Sequence, residues 1–164
     1  MTFKTYNFGV AIVRNNKGEY LAVKETKDRG WWLPAGRIEP GETFEAGTIR
    51  ECLEEGGVKI ALRGILRVER TVFPDYARMR VIYYAEPDPP EQKAKDFADK
   101  ESEYAQWVKL DEYKKFENLR GDELVVWGDY LENGGTVYPL SLLALEKDDP
   151  SPGDKAFTVK GKAD

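Results

Sequence analysis

Histidine is absent from this chain of 164 residues, and cysteine occurs once. The lack of histidine excludes a Ser-His-Asp triad and a histidine-rich zinc site. The single cysteine, Cys52, cannot form an intramolecular disulfide, which suits a reducing compartment. No apolar run reaches 18 residues, and the N-terminus has no long apolar segment of the signal-peptide kind. We therefore expect a soluble protein of the cytoplasm with no membrane partner.

A surplus of basic residues is also missing, since the formal net charge is -5. A protein that coats nucleic acid needs Lys and Arg to neutralise many phosphates, so no extended nucleic-acid partner is expected. A small phosphate-bearing ligand stays compatible with an acidic protein, because a bound cation can bridge the two. With 41% apolar residues the chain can bury a core, and its length suits one domain.

Alternation of apolar stretches and turn residues predicts a mixed α/β domain. Stretches rich in β-branched and aromatic residues predict strands at 8–14, 20–24, 31–33, 62–73, 79–85 and 105–110. Residues 34–41 are predicted to form a loop because they are rich in Gly and Pro. Helical spacing and capping residues predict helices at 43–55, 119–132 and 139–146.

Two boundaries follow from the same patterns. Gly56 and Gly57 are expected to end the helix at 43–55, since glycine adopts the left-handed cap conformation at little cost. Residues 1–146 are expected to form the domain. The segment 147–164 is charged and poor in apolar residues, so it is expected to be a flexible C-terminal tail with little structure.

The predicted helix at 43–55 carries three glutamates near its end, Glu51, Glu54 and Glu55. At about 100° per residue they fall on one stripe, roughly opposite an apolar stripe of Ala46, Ile49, Cys52 and Leu53. Like charges at such spacing destabilise an isolated helix. Three convergent carboxylates suit a hard divalent cation, Mg²⁺ or Mn²⁺, which would remove the repulsion. The alternative is an ordinary solvated helix face, the usual meaning of a charge run.

The surrounding pattern favours the metal site. Residues 36–58, GRIEPGETFEAGTIRECLEEGGV, resemble the Nudix box, G-x5-E-x7-R-E-U-x-E-E-x-G-U, in which U is aliphatic. Its fixed positions are matched by Gly36, Glu42, Arg50, Glu51, Glu54, Glu55 and Gly57, and Val58 fills the last aliphatic position. Cys52 stands at the first aliphatic position, where a free thiol packs as a small hydrophobe. The resemblance implies a Nudix-type α/β/α sandwich with a mixed sheet. It also implies Mg²⁺- or Mn²⁺-dependent hydrolysis of a nucleoside diphosphate linked to another group.

The resemblance further implies roles for individual residues. Glu51, Glu54 and Glu55 would bind metal, with the backbone carbonyl of Ala35 as a further ligand. Arg50 would orient the glutamates, Glu42 would brace the loop or reach a metal through water, and Gly36 would let the backbone approach the phosphates. Glu101, which precedes Trp107 by six residues, would be a later carboxylate ligand, with Glu103 as the fallback. The general base would be one of the helix glutamates or Glu101.

Aromatic and basic residues near the box are candidate substrate contacts. Trp31 and Trp32 are neighbours on a predicted strand, so one should face the core and the other the cleft, where it could stack on a base. The other candidates, some with weaker claims, are Arg37, Phe73, Tyr76, Arg78, Tyr6 and Arg80. Trp127 and Tyr130 are expected to be packing residues instead.

The sequence LPAGR at 33–37 resembles the loop of Nudix enzymes that cleave oxidised-guanine nucleoside diphosphates. We therefore expect hydrolysis of an oxidised purine nucleoside di- or triphosphate, such as an 8-oxoguanine nucleotide, to the monophosphate. The position of Pro74 is also found in ADP-ribose hydrolases. ADP-ribose, nucleotide sugars, dinucleoside polyphosphates and capped RNA therefore stay open as substrates. A Nudix-fold module that binds without catalysis is the alternative class, and the oligomeric state stays open.

Overall fold

The computed structural model describes residues 2–150 and 152–161. Its strands are β1 (Lys4–Val13), β2 (Tyr20–Glu25), β3 (Gly30–Trp32), β4 (Ala35–Arg37), β5 (Ile60–Val72), β6 (Tyr76–Pro87), β7 (Tyr104–Val108), β8 (Thr136–Val137) and β9 (Phe157–Thr158). Its helices are α1 (Phe44–Gly56), α2 (Leu110–Tyr113) and α3 (Glu123–Glu132), with a 3₁₀ turn at Leu140–Leu142. Within the described ranges, no helix combines the length and apolar character needed to cross a membrane.

The strands form two main sheets and one short pair. The first sheet has the order β4-β1-β6-β5 and is mixed, because β1 and β6 run parallel while the other pairs are antiparallel. The second sheet is antiparallel, with the order β3-β2-β7. Strands β8 and β9 pair with each other. The mixed sheet expected from the sequence is therefore present.

The two faces of β1 show how the layers are arranged. Val10 and Ile12 point into a core cluster that they share with α2 and α3, while Ala11 and Val13 point into another cluster that contains Cys52 of α1. Such alternation is what a strand produces when both of its faces are covered. The sheets thus lie between α1 on one side and α2 with α3 on the other, which confirms the predicted α/β/α sandwich.

Some expected elements differ in the structure. The predicted loop at 34–41 contains β4, which pairs with β1. The helix predicted at 139–146 is wrong, since this stretch has only the 3₁₀ turn. The helix predicted at 119–132 starts later, at Glu123, because residues 118–120 form backbone hydrogen bonds with Trp31 instead of helical ones.

The segment 147–164 holds more structure than expected. Phe157 and Thr158 form β9, and the Phe157 ring lies 6.3 Å from that of Tyr84. Arg14 donates hydrogen bonds to the carbonyls of Lys160 and Gly161, at 3.0 and 3.3 Å. The expectation of little structure is therefore wrong for these residues, because the apolar side chain of Phe157 and the backbone carbonyls find partners on the domain. Residues 151 and 162–164 lie outside the described part of the chain.

Helix α1 has the bounds that its capping residues predict. Thr43 is extended at the N-cap, where its hydroxyl oxygen accepts a hydrogen bond from the Ala46 N–H at 3.1 Å. Gly57 ends the helix in the left-handed conformation, with φ 69°.

The apolar stripe predicted for α1 is partly right, since Cys52 is buried and Ile49 packs against the same cluster, but its other two members face solvent. Leu53 is 52% exposed and Ala46 is also exposed, whereas the buried residues of the helix include Thr48, Cys52 and Glu55. These three are related by steps of four and three residues, so they share one face. Glu55 therefore lies on the buried face of α1 and not opposite it.

Thr43→Ala removes the N-cap acceptor of α1, so the free energy of unfolding should fall by about 1 kcal/mol. Urea unfolding of the two proteins measures the difference. Thr2→Ala, at an exposed threonine before β1, is the control and should leave the midpoint unchanged. An equal midpoint for all three proteins would contradict the capping role.

Candidate functional site

Arg50 is the centre of a hydrogen-bond network with three glutamates. Its Nε and Nη2 donate to the two carboxylate oxygens of Glu42, at 2.6 and 3.0 Å. Its Nη1 donates to Glu51 at 3.0 Å and to Glu54 at 3.1 Å, and Nη2 also donates to the Arg37 carbonyl at 3.1 Å. The planar guanidinium can hold several acceptors at once, which a lysine cannot do in this geometry.

This network joins the loop before α1 to the helix. Glu42 also accepts a hydrogen bond from the Glu39 N–H at 2.9 Å. The bonds from Arg50, followed by that from the Glu39 N–H, lower the pKa of Glu42 to about 2. Glu42 is therefore ionised at neutral pH and fixes the Arg50 side chain. The sequence predicted both roles, and the contacts are consistent with them.

Glu55 is buried and is not one of the glutamates that Arg50 contacts. Its side chain accepts a hydrogen bond from the Ala35 N–H at 3.0 Å, and the residue is 6% exposed. Burial, together with the neighbouring charges of Glu51, Glu25 and Glu101, raises the pKa of Glu55 to about 9, although the hydrogen bond from Ala35 acts in the opposite direction. Burial also raises the pKa of Glu51. The ionised forms of Glu51 and Glu55 are therefore disfavoured in this corner of the protein, where water screens charge poorly.

A cleft of about 330 Å³ opens over these carboxylates. One part of its lining comes from β4 and α1, with Ala35, Gly36, Glu51 and Glu55. The remainder of the lining is formed by Phe8, Val10, Glu25, Arg29, Trp32, Arg78, Arg80, Lys100, Glu101 and Arg120. Acidic groups and cationic groups thus face the same space. That volume is at the lower end of the range for small-molecule sites.

A larger cavity, of about 750 Å³, lies between the turn after β1 and the segment that follows β9. Its lining includes Arg14, Arg63, Tyr84 and Lys160, and none of the glutamates of the Nudix box is among the residues that line it. We therefore place the candidate site in the smaller cleft, where the box residues are.

The cleft residues have the chemistry to hold a hard divalent cation. Carboxylate and carbonyl oxygens are the ligands that such a cation prefers, and Glu51, Glu55, Glu101 and Ala35 bring them to one cleft. Over the described ranges, no set of three acidic, histidine or cysteine side chains is already arranged as a metal site. The carboxylates instead accept hydrogen bonds from other groups, since Arg50 donates to Glu51 and Glu54 and the Ala35 N–H donates to Glu55. A cation would relieve the charge repulsion around Glu55, so the donor set fits such an ion.

The predicted acidic residues do not all lie in the cleft. Glu51, Glu55 and Glu101 line it, whereas Glu54 lies beside it in contact with Arg50. Glu103, the fallback for Glu101, instead forms an ion pair with Lys24 at 3.6 Å.

The structure does not divide the two tryptophans of β3 into a core residue and a cleft residue, because both are half-buried and both pack against the core cluster shared with α2 and α3. Trp32 lines the cleft. Trp31 packs against Tyr104 and Phe116, with ring centroids 5.3 and 4.9 Å away. Trp127 is buried, and the Tyr130 hydroxyl donates to the Thr136 carbonyl at 2.8 Å, so both are packing residues as expected.

The other substrate candidates form a row outside the cleft. Arg37 lies over the Tyr6 ring at 4.6 Å, Tyr6 meets Tyr76 edge to face at 5.6 Å, and Phe73 stacks on Tyr76 at 4.6 Å. Arg78, 5.6 Å from the Phe73 ring, is the member of this row that lines the cleft. The Arg78 Nε is buried and has no hydrogen-bond partner among the described residues. Arg80, by contrast, is paired with Glu69 and Glu123.

Six of the residues that line the cleft were not among the candidates from the sequence, namely Phe8, Val10, Glu25, Arg29, Lys100 and Arg120. Glu25 is the last residue of β2 and lies on the same strand face as Leu21 and Val23, which are buried beneath α1. A carboxylate that continues an apolar strand face is the signal that could have identified it. Arg120 lies in the irregular segment before α3 and carries no comparable signal.

Gly36 allows Glu51 to lie against the loop. A methyl carbon at this position would be 2.0 Å from the carboxyl carbon of Glu51, far inside van der Waals contact. The glycine of the box is therefore needed for the position of a cleft carboxylate.

Gly36→Ala should displace Glu51 and weaken binding of Mn²⁺ by about tenfold or more, as loss of an orienting contact does at metal sites. Isothermal titration with Mn²⁺ measures the change. Gly153→Ala, where a methyl group meets no atom within 4 Å, is the matched control. Equal Mn²⁺ affinity in the two variants would show that Glu51 is not a ligand.

Comparisons with known proteins agree with this geometry. The family model for the NUDIX domain matches residues 4–127. The 8-oxo-dGDP phosphatase NUDT18 of Mus musculus is 37% identical over 101 residues, which are 60% of this chain and 30% of that protein. The putative 8-oxo-dGTP diphosphatase of Bacillus subtilis is 36% identical over 72 residues, 43% of this chain and 48% of that protein. The matched regions thus span less than half of these relatives.

A solved structure shows the same fold. The NUDIX hydrolase from Nitrosomonas europaea aligns with a TM-score of 0.61 and 22% identity, over 86% of this chain and 97% of that one. The family model covers β1 to β7, α1, α2 and the cleft residues described above. The chain belongs to the NUDIX domain family.

Proposed function

We propose that this protein hydrolyses the pyrophosphate bond of a nucleoside diphosphate derivative with the help of Mg²⁺ or Mn²⁺. Its preferred substrate would be an oxidised purine nucleoside di- or triphosphate, such as an 8-oxoguanine nucleotide, which it would convert to the monophosphate. The proposal depends on one observation above all. The carboxylates of Glu51, Glu55 and Glu101 face a cleft that is also lined by cationic and aromatic side chains and by a fourth carboxylate, that of Glu25.

The carboxylates would hold the cation. NUDIX hydrolases generally depend on a divalent metal. Glu51, Glu55, Glu101 and Ala35 line the cleft, and Glu54 shares the Arg50 guanidinium with Glu51. When bound, the cation would neutralise pyrophosphate charge and lower the pKa of a bound water. Arg50 would keep Glu51 and Glu54 oriented while the substrate enters.

The hydrolytic step needs a proton acceptor and an anchor for the phosphates. A water oxygen forms a bond to one phosphorus, the bridging P–O bond breaks, and the proton of the water passes to a cleft carboxylate. Glu51, Glu54 and Glu101 are the candidates for this base. Arg78 would contact the phosphates, because its side chain lines the cleft and its Nε has no partner in the described chain.

Support for the substrate class comes from the relatives. The mouse relative is named an 8-oxo-dGDP phosphatase, and the Bacillus relative a putative 8-oxo-dGTP diphosphatase. The Trp32 side chain in the cleft provides an aromatic surface on which a base can stack. Since the match covers only part of each relative, the activity is proposed for this chain on the combination of site and resemblance.

Glu54→Gln should lower kcat about a hundredfold or more, because the neutral amide is a poor cation ligand and weakens the ion pair with Arg50. The measurement is release of nucleoside monophosphate from 8-oxo-dGDP with Mg²⁺, read by chromatography. Glu45→Gln, an exposed glutamate in the first turn of the same helix, is the control and should keep wild-type turnover. Unchanged turnover in the Glu54 variant would refute its assignment.

A substrate panel separates the remaining possibilities. It contains 8-oxo-dGDP, 8-oxo-dGTP, ADP-ribose and a diadenosine polyphosphate, each with Mg²⁺ and with Mn²⁺. The highest kcat/KM should be found with an oxidised guanine nucleotide. A higher value with ADP-ribose would overturn the substrate choice. Binding of panel members without cleavage would favour a non-catalytic module.

A further inference from the structure

The cleft contains an ion pair between a buried glutamate and an accessible arginine, and the catalytic proposal does not explain its role. Glu25 is 5% exposed, and both of its carboxylate oxygens lie 2.6 Å from Nη1 of Arg120. Among the described residues, Arg120 is the only hydrogen-bond donor to this carboxylate. Burial of a carboxylate without hydrogen-bond donors costs free energy. Arg120 supplies the donors that Glu25 needs.

Arg120 also lies on the indole of Trp32. Its guanidinium carbon is 4.7 Å from the Trp32 ring centroid. Glu25, Arg120 and Trp32 all line the cleft. A planar cationic group thus lies over an aromatic ring while it donates hydrogen bonds to a carboxylate.

The backbone around Arg120 is held firmly, although its side chain is accessible. The Trp31 N–H donates to the Asn118 carbonyl at 3.0 Å, and the Arg120 N–H donates to the Trp31 carbonyl at 2.9 Å. Gly30 permits this approach, since a Cβ there would lie 2.1 Å from the Asn118 oxygen. The Arg120 side chain, however, is 42% exposed against 6% for that of Glu25. The Arg120 side chain is therefore the member of the pair that a ligand can displace.

A guanine base could replace the Arg120 guanidinium at Glu25, because both are planar groups that offer hydrogen-bond donors to a carboxylate. Guanine is planar, and its N1–H and 2-amino group form adjacent donors that a carboxylate can accept together. Adenine presents a ring nitrogen acceptor at the corresponding edge, which would face the Glu25 carboxylate without a proton between them. Oxidation at C8 leaves the N1–H and 2-amino edge unchanged.

We propose that Glu25 is the specificity-determining residue for a guanine-type base, which stacks on Trp32 and replaces the Arg120 guanidinium. This rests on the proposed function, because it assumes a nucleotide in this cleft. Arg120 occupies the position only while no base is bound. Glu25 selects guanine over adenine, and it does not distinguish guanine from 8-oxoguanine.

Glu25→Gln should remove the preference for guanine, since an amide offers one acceptor where the carboxylate offers two. The measurement is isothermal titration of the full chain with dGMP, 8-oxo-dGMP and dAMP. The wild-type protein should bind the first two with similar Kd and dAMP about tenfold or more weakly. In the variant the three Kd values should lie within about twofold of each other. A guanine preference that persists in the variant would overturn the proposal, as would its absence from the wild-type protein.

Glu123→Gln is the matched control. Glu123 also pairs with an arginine that lines the cleft, Arg80, but it is not itself part of the cleft lining. This variant should keep the guanine preference. If it loses the preference as Glu25→Gln does, the effect comes from releasing an arginine into the cleft, and the proposal is wrong.

Arg120→Met decides the question if Glu25→Gln fails to fold by circular dichroism. Methionine keeps an apolar stem over Trp32 and removes the competing donors. The Kd for dGMP should fall or stay unchanged, and dAMP should remain weaker. Loss of the guanine preference would show that Arg120, and not Glu25, reads the base.

Monophosphate binding keeps this inference separate from the catalytic proposal. Guanine preference in binding without hydrolysis of any panel nucleotide would refute the proposed reaction and leave the role of Glu25 intact. Hydrolysis of panel nucleotides without a guanine preference in binding would refute the role of Glu25 and leave the proposed reaction intact.

Discussion

The contact between Arg50 and three glutamates is the interaction on which the rest of the site depends. Three of the last six residues of α1 are glutamates, which an isolated helix would not tolerate well. Arg50 neutralises part of that charge and ties Glu51 and Glu54 to Glu42 in the preceding loop. The loop, the helix and the cleft carboxylates therefore keep their positions together. Replacement of Arg50 by lysine would conserve the charge and lose the fork that joins them.

Two further carboxylates of the cleft are buried and do not belong to the Arg50 network. The strand faces that pack against α1 continue into the cleft, where Glu55 and Glu25 are buried beside apolar residues. Arg50 does not contact either of them in the described structure. One, Glu25, is paired with Arg120, and the other accepts only the Ala35 N–H. The difference between these two carboxylates separates the proposed base-reading end of the cleft from the proposed metal-binding end.

Much of this arrangement could be predicted from the sequence because local rules decide it. Thr43 and Gly57 set the ends of α1, and alternation of apolar residues located β1, β2 and β6. The face that α1 buries could not be predicted so simply. Hydrophobicity assigned Leu53 to the core, whereas the helix buries Thr48 and Glu55, because the contact of Glu55 with Ala35 depends on residues far apart in the chain. Arg120 was missed for the same reason, since its position follows from the backbone pairing of residues 118–120 with Trp31.

The contact of Arg14 with the last described residues has a consequence for how the domain can be shortened. Arg14 is buried at the end of β1, and the carbonyls of Lys160 and Gly161 accept its hydrogen bonds. A chain cut after residue 146 would keep every cleft residue and every residue matched by the family model. In that shortened chain the buried Arg14 guanidinium would nevertheless lose those acceptors, and β8 would lose β9, the strand with which it pairs. A domain that keeps these partners of Arg14 and β8 therefore extends to residue 161, beyond the residues that line the cleft.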